Sequence, residues 1–197
     1  MRQRSEAREV RLFVALETPD AVREKLVELV KDLRVDMAGV RWVRPENFHV
    51  TLKFIGEIAA SQVEGLCAAL ATVKAERLAE VHFCGVGILY NARRMGVFWA
   101  KLEASPSLRK LAEEVDAVVE SLGMARQERA FLPHVTVARF KDAGVGKRLR
   151  AVAEENADRD FGVMRSSEFH LIESKLGPTG ASYSKIASFP FVATEES

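Results

Sequence analysis

Phe48-His49-Val50-Thr51-Leu52-Lys53-Phe54 and, 85 residues later, Pro133-His134-Val135-Thr136-Val137-Ala138-Arg139-Phe140 are two copies of one strand pattern, and the fold is read from them. Residues two apart on a strand share a face, so His49, Thr51 and Lys53 point one way while Val50, Leu52 and Phe54 point the other. The apolar set belongs in a core. That leaves an imidazole and a hydroxyl side by side on the opposite face, and His134 and Thr136 repeat the arrangement. A pair is not a repeat array, but it divides the chain into two similar halves.

Outward from the first copy, Arg11 to Glu17 runs apolar like a strand. Thr18 and Pro19 then signal the start of a helix carrying Val22, Leu26, Leu29, Val30 and Leu33 at helical spacing. Val40 to Val43 reads as a strand leading to the turn at Pro45, Glu46 and Asn47; Gly56 ends the motif strand, and Ser61 can cap a further helix. Around the second copy, strands run from Val81 to Leu89 and from Gly96 to Leu102 through a polar hairpin at Asn91 to Arg94. Ser105 and Pro106 open the clearest helix, with Leu108, Leu111, Val115, Val118 and Leu122 on one stripe and Gly123 as its stop. A helix near Lys147 to Asn156, strands from Phe161 to Ile172 and from Ser182 to Phe189, and a polar tail from Thr194 complete the chain. Strands that follow one another through short turns, with no glycine-rich phosphate loop, give an α+β fold with mainly antiparallel sheets.

With 197 residues and 48% hydrophobic content, the chain can bury a sizeable core. Its 29 Lys and Arg nearly cancel 28 Asp and Glu, for a net charge of +1. That balance excludes a protein that coats nucleic acid by bulk charge; a phosphate site has to be local. Cys67 and Cys84 fit neither a disulfide framework nor a zinc site, and they read as reduced, buried, small apolar residues. The first apolar run is too short for a membrane segment or a signal, so a cytoplasmic protein is expected. Arg2, Arg4 and Arg8 hint at an organellar presequence, but Glu6 and Glu9 interrupt them.

With 4 histidines and 6 threonines, two His-x-Thr pairs arise by accident in roughly 0.6% of shuffled chains. Two imidazoles are what cleavage of a cyclic phosphodiester needs. A neutral ring takes a proton from water and an imidazolium gives one to the departing ribose oxygen. Threonine hydroxyls can hold the non-bridging oxygens. Alone, either segment reads first as a half-buried strand histidine bonded to its neighbouring threonine; two matched segments reverse that reading. A metal site would need three or four ligands, and none accompany the motifs, so neither metal nor cofactor is expected.

These residues resemble the two-histidine phosphoesterases, and within them the bacterial and archaeal RNA 2′,3′-cyclic phosphodiesterases once called 2′-5′ RNA ligases. The similarity rests on His49-Val50-Thr51-Leu52 and His134-Val135-Thr136-Val137, and extends to Arg11-Leu12-Phe13-Val14-Ala15-Leu16, Arg41-Trp42-Val43 and Glu173-Ser174-Lys175-Leu176. The resemblance implies a single two-lobed catalytic domain over residues 1–197, with pseudo-twofold symmetry, a central cleft between the sheets and helices outside. It also implies hydrolysis of RNA-terminal 2′,3′-cyclic phosphate to a 2′-phosphomonoester without metal. His49 is assigned as proton donor and His134 as proton acceptor, with Thr51, Thr136 and Arg139 on the phosphate. Reversible 2′-5′ joining of RNA ends, hydrolysis of a small cyclic nucleotide, and non-catalytic binding of RNA ends are the alternatives. RNA ends or cyclic nucleotides are the expected partners of a monomer.

Strict parity disagrees with the resemblance at Arg139, which falls on the face opposite His134 and reaches the cleft only through a bulge or a curled side chain. Lys53 has cleft parity and could place charge near phosphate. Trp42, Phe131, Phe13 and Tyr183 are candidate stacking platforms for a terminal base, and Arg93, Arg94, Arg126 and Arg129 could line an RNA path. His82 and His170 lack a Thr at plus two and read as structural.

Overall fold

The computed structural model describes residues 8–74, 80–90, 95–103, 105–127, 130–178 and 180–192. The expected hairpin tip with Arg93 and Arg94, the residue Arg129, and the polar start and tail lie outside them. Element order is β1 (Glu9–Glu17), α1 (Asp20–Arg34), β2 (Arg41–Trp42), β3 (His49–Ala59), α2 (Val63–Leu70), β4 (Val81–Tyr90), β5 (Gly96–Leu102), α3 (Pro106–Ser121), β6 (His134–Phe140), α4 (Ala143–Glu155), β7 (Asp160–Met164), β8 (Glu168–Gly177) and β9 (Gly180–Pro190).

Local chemistry explains most boundaries. Ser105 caps α3 by accepting a hydrogen bond from the Leu108 N–H at 3.2 Å, with Pro106 in the first turn. Gly123, at φ +80°, supplies the left-handed stop after α3. Asp142 caps α4 by accepting from Val145 N–H at 2.8 Å, which starts that helix four residues before the apolar pattern suggested. At α1, Pro19 rather than Thr18 occupies the cap position, and the Thr18 hydroxyl is buried without a side-chain role in capping. Ser61 lies in a 3₁₀ turn before α2 rather than capping it. The run from Phe161 to Ile172 is two strands, because Arg165 to Ser167 turn between β7 and β8. Cys67 and Cys84 are half-buried free thiols rather than fully buried ones.

In place of separate sheets, the described strands join into one nine-stranded sheet in the order β7-β4-β5-β6-β3-β1-β8-β9, with β2 also on β6. Its described pairings are antiparallel. The four helices all pack their apolar faces into one core, which α1 enters with Val22, Leu26 and Leu29, and α3 with Leu108, Leu111 and Val115. A small second cluster, Phe13, Ala15 and Ile172 with Tyr183, lies apart from it.

The halves meet where β3 pairs with β6 through Val50 and Val135. These are the equivalent residues of the two motifs, so a local twofold axis runs through this pair. Both side chains are fully buried. Beyond the pair β3 and β6 part, since β2 takes over the edge of β6 at Ala138 and Arg139. The opening between the halves starts there.

Val50→Ala or Val135→Ala removes buried methyls at this junction. Either is expected to lower stability by about 2 kcal/mol, a fall of roughly 4–8 °C in Tm for a chain of this size, measured by calorimetry.

Candidate active site

Both motif strands break strict alternation at the same place. Against β1, Ala15 pairs with Thr51 and Val14 with Lys53, so Leu52 is an extra residue in β3. Against β5, Trp99 pairs with Thr136 and Phe98 with Ala138, so Val137 is an extra residue in β6. Each extra residue is a β-bulge, and it reverses the face of the residues that follow it; in β3 a second bulge at Ile55 restores the original alternation. Lys53 and its counterpart Ala138 turn inward and are buried. Phe54 and its counterpart Arg139 turn outward into the opening.

The opening is a cavity of about 460 Å³, a size that suits a nucleotide. His49, Thr51, His134, Thr136 and Arg139 line it together, joined by Phe54 and Tyr183. The bulge thus brings Arg139 to the face that parity had denied it. Lys53 is corrected: it is only 2% exposed and pairs with Asp116 of α3, away from the cavity. Trp42 packs against the core and is absent from the cavity wall, whereas Val43, just past the end of β2, packs on the core and also lines the cavity. Phe131 packs against the core and lines a smaller pocket with Leu52 and Asp116, while Leu132 takes the cavity position. Of the other aromatic candidates, Tyr183 lines the cavity and Phe13 lies behind His49.

The two imidazoles are held alike. His49 Nδ1 lies 2.7 Å from the Asn47 carbonyl oxygen and His134 Nδ1 lies 2.9 Å from that of Leu132, in each case two residues back. A carbonyl only accepts, so Nδ1 carries the hydrogen in both rings and Nε2 is the nitrogen left for chemistry. Asn47 is itself anchored, its side-chain amide donating to the Ala181 carbonyl at 2.8 Å. Aromatic rings brace each imidazole: Phe13 and Tyr183 at 4.7 and 5.2 Å from His49, and Trp99 edge-on at 5.5 Å from His134. Asn47, Phe54, Gln127, Leu132 and Trp99 were not singled out for the site from sequence. The β3 bulge turns Phe54 there, β9 anchors Asn47, β5 supplies Trp99, and the Asp116 carboxylate of α3 holds the Gln127 N–H.

Burial disfavours charge on both rings. The His49 pKa falls to about 4, chiefly through desolvation, with His134 and Arg139 adding repulsion against the backbone bond that opposes it. His134 is also lowered, by desolvation and then by Arg139. Tyr183 is pushed up by burial, which keeps it a neutral phenol, although Arg139 and Arg11 act the other way. His82 and His170 lie outside this cavity: His82 bonds Asp160 at 2.8 Å, and the buried His170 bonds the Ser188 hydroxyl at 2.9 Å.

A histidine with a lowered native pKa destabilises the fold only where the unfolded chain binds the proton more readily. For His49 this leaves stability untouched well above pH 6.5 and removes it progressively as pH falls from 6.5 toward about 4. Urea unfolding of wild type and His49→Gln across that window is expected to show a steeper acid loss in the wild type.

Comparison with known proteins matches this arrangement. The family model described as LigT like Phosphoesterase matches twice, over residues 16–99 and 102–183, one motif in each stretch. The RNA 2′,3′-cyclic phosphodiesterase of Archaeoglobus fulgidus is 31% identical over 180 residues, covering 91% of this chain and 99% of that protein. The protein of the same name from Aquifex aeolicus is 27% identical, with 91% and 96% covered. Among solved structures, TT0787 of Thermus thermophilus superposes with a TM-score of 0.75 at 28% identity, covering 92% of this chain and 97% of that one. E. coli LigT complexed with 3′-AMP has a TM-score of 0.77 at 22% identity, covering 93% and 99%, and it shares the fold. With one copy of the family pattern in each half of the sheet and one histidine from each copy in the shared cavity, the chain belongs to the LigT-like phosphoesterases of the two-histidine class.

Proposed function

We propose that the protein hydrolyses the 2′,3′-cyclic phosphate at RNA ends to a 2′-phosphomonoester, acting as one two-lobed catalytic domain. The observation that carries this reading is the pair of matched imidazoles, each with Nδ1 committed to a carbonyl and Nε2 left to a common cavity. The names of the relatives support the substrate.

In-line displacement at phosphorus places the attacking and leaving oxygens on opposite sides. A local twofold axis supplies groups on opposite sides from one kind of strand. His134 Nε2 takes a proton from water as its oxygen attacks phosphorus. The bond from phosphorus to the ribose 3′-oxygen breaks, and His49 Nε2 delivers a proton to that oxygen. Thr51 and Thr136 donate to the non-bridging oxygens, and Arg139 offsets the charge that grows there. Phe54 and Tyr183 provide the aromatic surface for the terminal base in place of Trp42 and Phe131.

One proton shared between two histidines is the active form. Both rings resist charge in the empty site, chiefly through desolvation, and the anionic substrate favours the imidazolium that burial otherwise suppresses. A 5′-hydroxyl in the place of water would join two ends through a 2′-5′ bond by the same steps.

The experiment is turnover of an RNA oligomer ending in 2′,3′-cyclic phosphate, with EDTA present. His49→Ala and His134→Ala are each expected to lose about 10²- to 10⁴-fold in kcat, and the wild-type pH profile is expected to be bell-shaped. A substrate with sulfur at the bridging 3′ position needs no protonated leaving group, so it is expected to rescue His49→Ala but not His134→Ala. A 3′-phosphate product, or full activity in both alanine variants, would overturn the reading. In the same assay Arg139→Ala is expected to lower kcat/KM at least about tenfold, mainly through kcat, the scale of one charge-assisted hydrogen bond.

A further inference from the structure

The local symmetry fails at one place beside the cavity. In one half, the segment before the motif is β2, held to β6 by the backbone: Arg41 pairs with Arg139, Trp42 with Ala138, and the Val43 N–H donates to the Val137 carbonyl at 2.9 Å. The matching segment of the other half is Arg126–Gln127, 85 residues on. It lies among no described strand. A buried side chain takes over instead. Lys53, standing where the other half has Ala138, pairs with Asp116 of α3 and donates to the Ala125 carbonyl at 2.7 Å. The Asp116 carboxylate in turn accepts the Gln127 N–H at 3.1 Å.

Gln127 and Ala130 line both the catalytic cavity and a smaller pocket of about 230 Å³ whose walls include Leu52, Asp116 and Phe131. They form a partition between the two spaces. We infer that the pair of buried Lys53 with half-buried Asp116 is a positioning device that holds Gln127 at the wall of the catalytic cavity, where its carboxamide contacts the bound nucleotide. Lys53 and Asp116 do not touch substrate themselves. The contact to nucleotide rests on the reading proposed above; the placement of Gln127 does not.

A buried ion pair is costly to break from one side but can be replaced by two apolar groups without loss of stability. The double variant Lys53→Met/Asp116→Leu therefore separates positioning from folding. It is expected to keep the wild-type Tm, to lose hydrogen-exchange protection at the Gln127 amide, and to raise both KM for the cyclic-phosphate RNA and the Kd for adenosine 2′-monophosphate about tenfold, with kcat within about threefold. Gln127→Ala is expected to raise KM by a similar factor, and to add little when combined with the double variant. Protection at Gln127 and an unchanged KM in a folded double variant would overturn the inference. If wild type fails to turn over the RNA, the proposed function falls, while amide exchange at Gln127 still decides the positioning role.

Discussion

The antiparallel contact of Val50 with Val135 is the constraint from which the other features of the molecule follow. An antiparallel pair of equivalent residues generates a twofold relation by itself, because each strand sees the other in the same way. The neighbours of one motif strand then have counterparts on the other, except β2, which lies on β6 with no matching described strand beside β3. Full burial of both valines holds this junction closed. The strands separate only beyond it, where β2 displaces β3 from the edge of β6.

Bulges at Leu52 and Val137 give the two sides of that symmetric junction unlike walls. A regular strand would have sent Phe54 and Arg139 into the core and Lys53 into the cavity. The extra residue exchanges them, so one half of the cavity receives an aromatic ring and the other a guanidinium. A nucleotide is asymmetric in the same sense, with a flat base at one end and a phosphate at the other. The halves are alike in their histidines and threonines and unlike at the position that follows each bulge.

Burial that disfavours the imidazolium is the counterpart of this design. Both rings sit among Phe13, Tyr183 and Trp99, and both face Arg139. Desolvation is the main reason that both rings resist charge, and the Arg139 guanidinium in the same cavity adds a smaller repulsion. His170, itself buried, has Glu17 and Glu168 beside it and belongs to the sheet rather than the cavity.

The two motifs with their imidazoles and threonines, the repeat between halves and most of the order of strands and helices were legible in the chain. Those properties are carried by local periodicity and by residue type, which a sequence displays directly. The single run read from Phe161 to Ile172 concealed two strands, since a three-residue turn leaves no glycine or proline mark there. It took the folded sheet to settle which of Lys53, Phe54 and Arg139 face the cavity, that Trp42 and Phe131 belong to the core, and that Asn47, Gln127 and Trp99 support the site. A bulge is set by the register between strands distant in sequence, and a one-residue slip in register reverses every following side chain. No pattern within either strand reports the register of its partner.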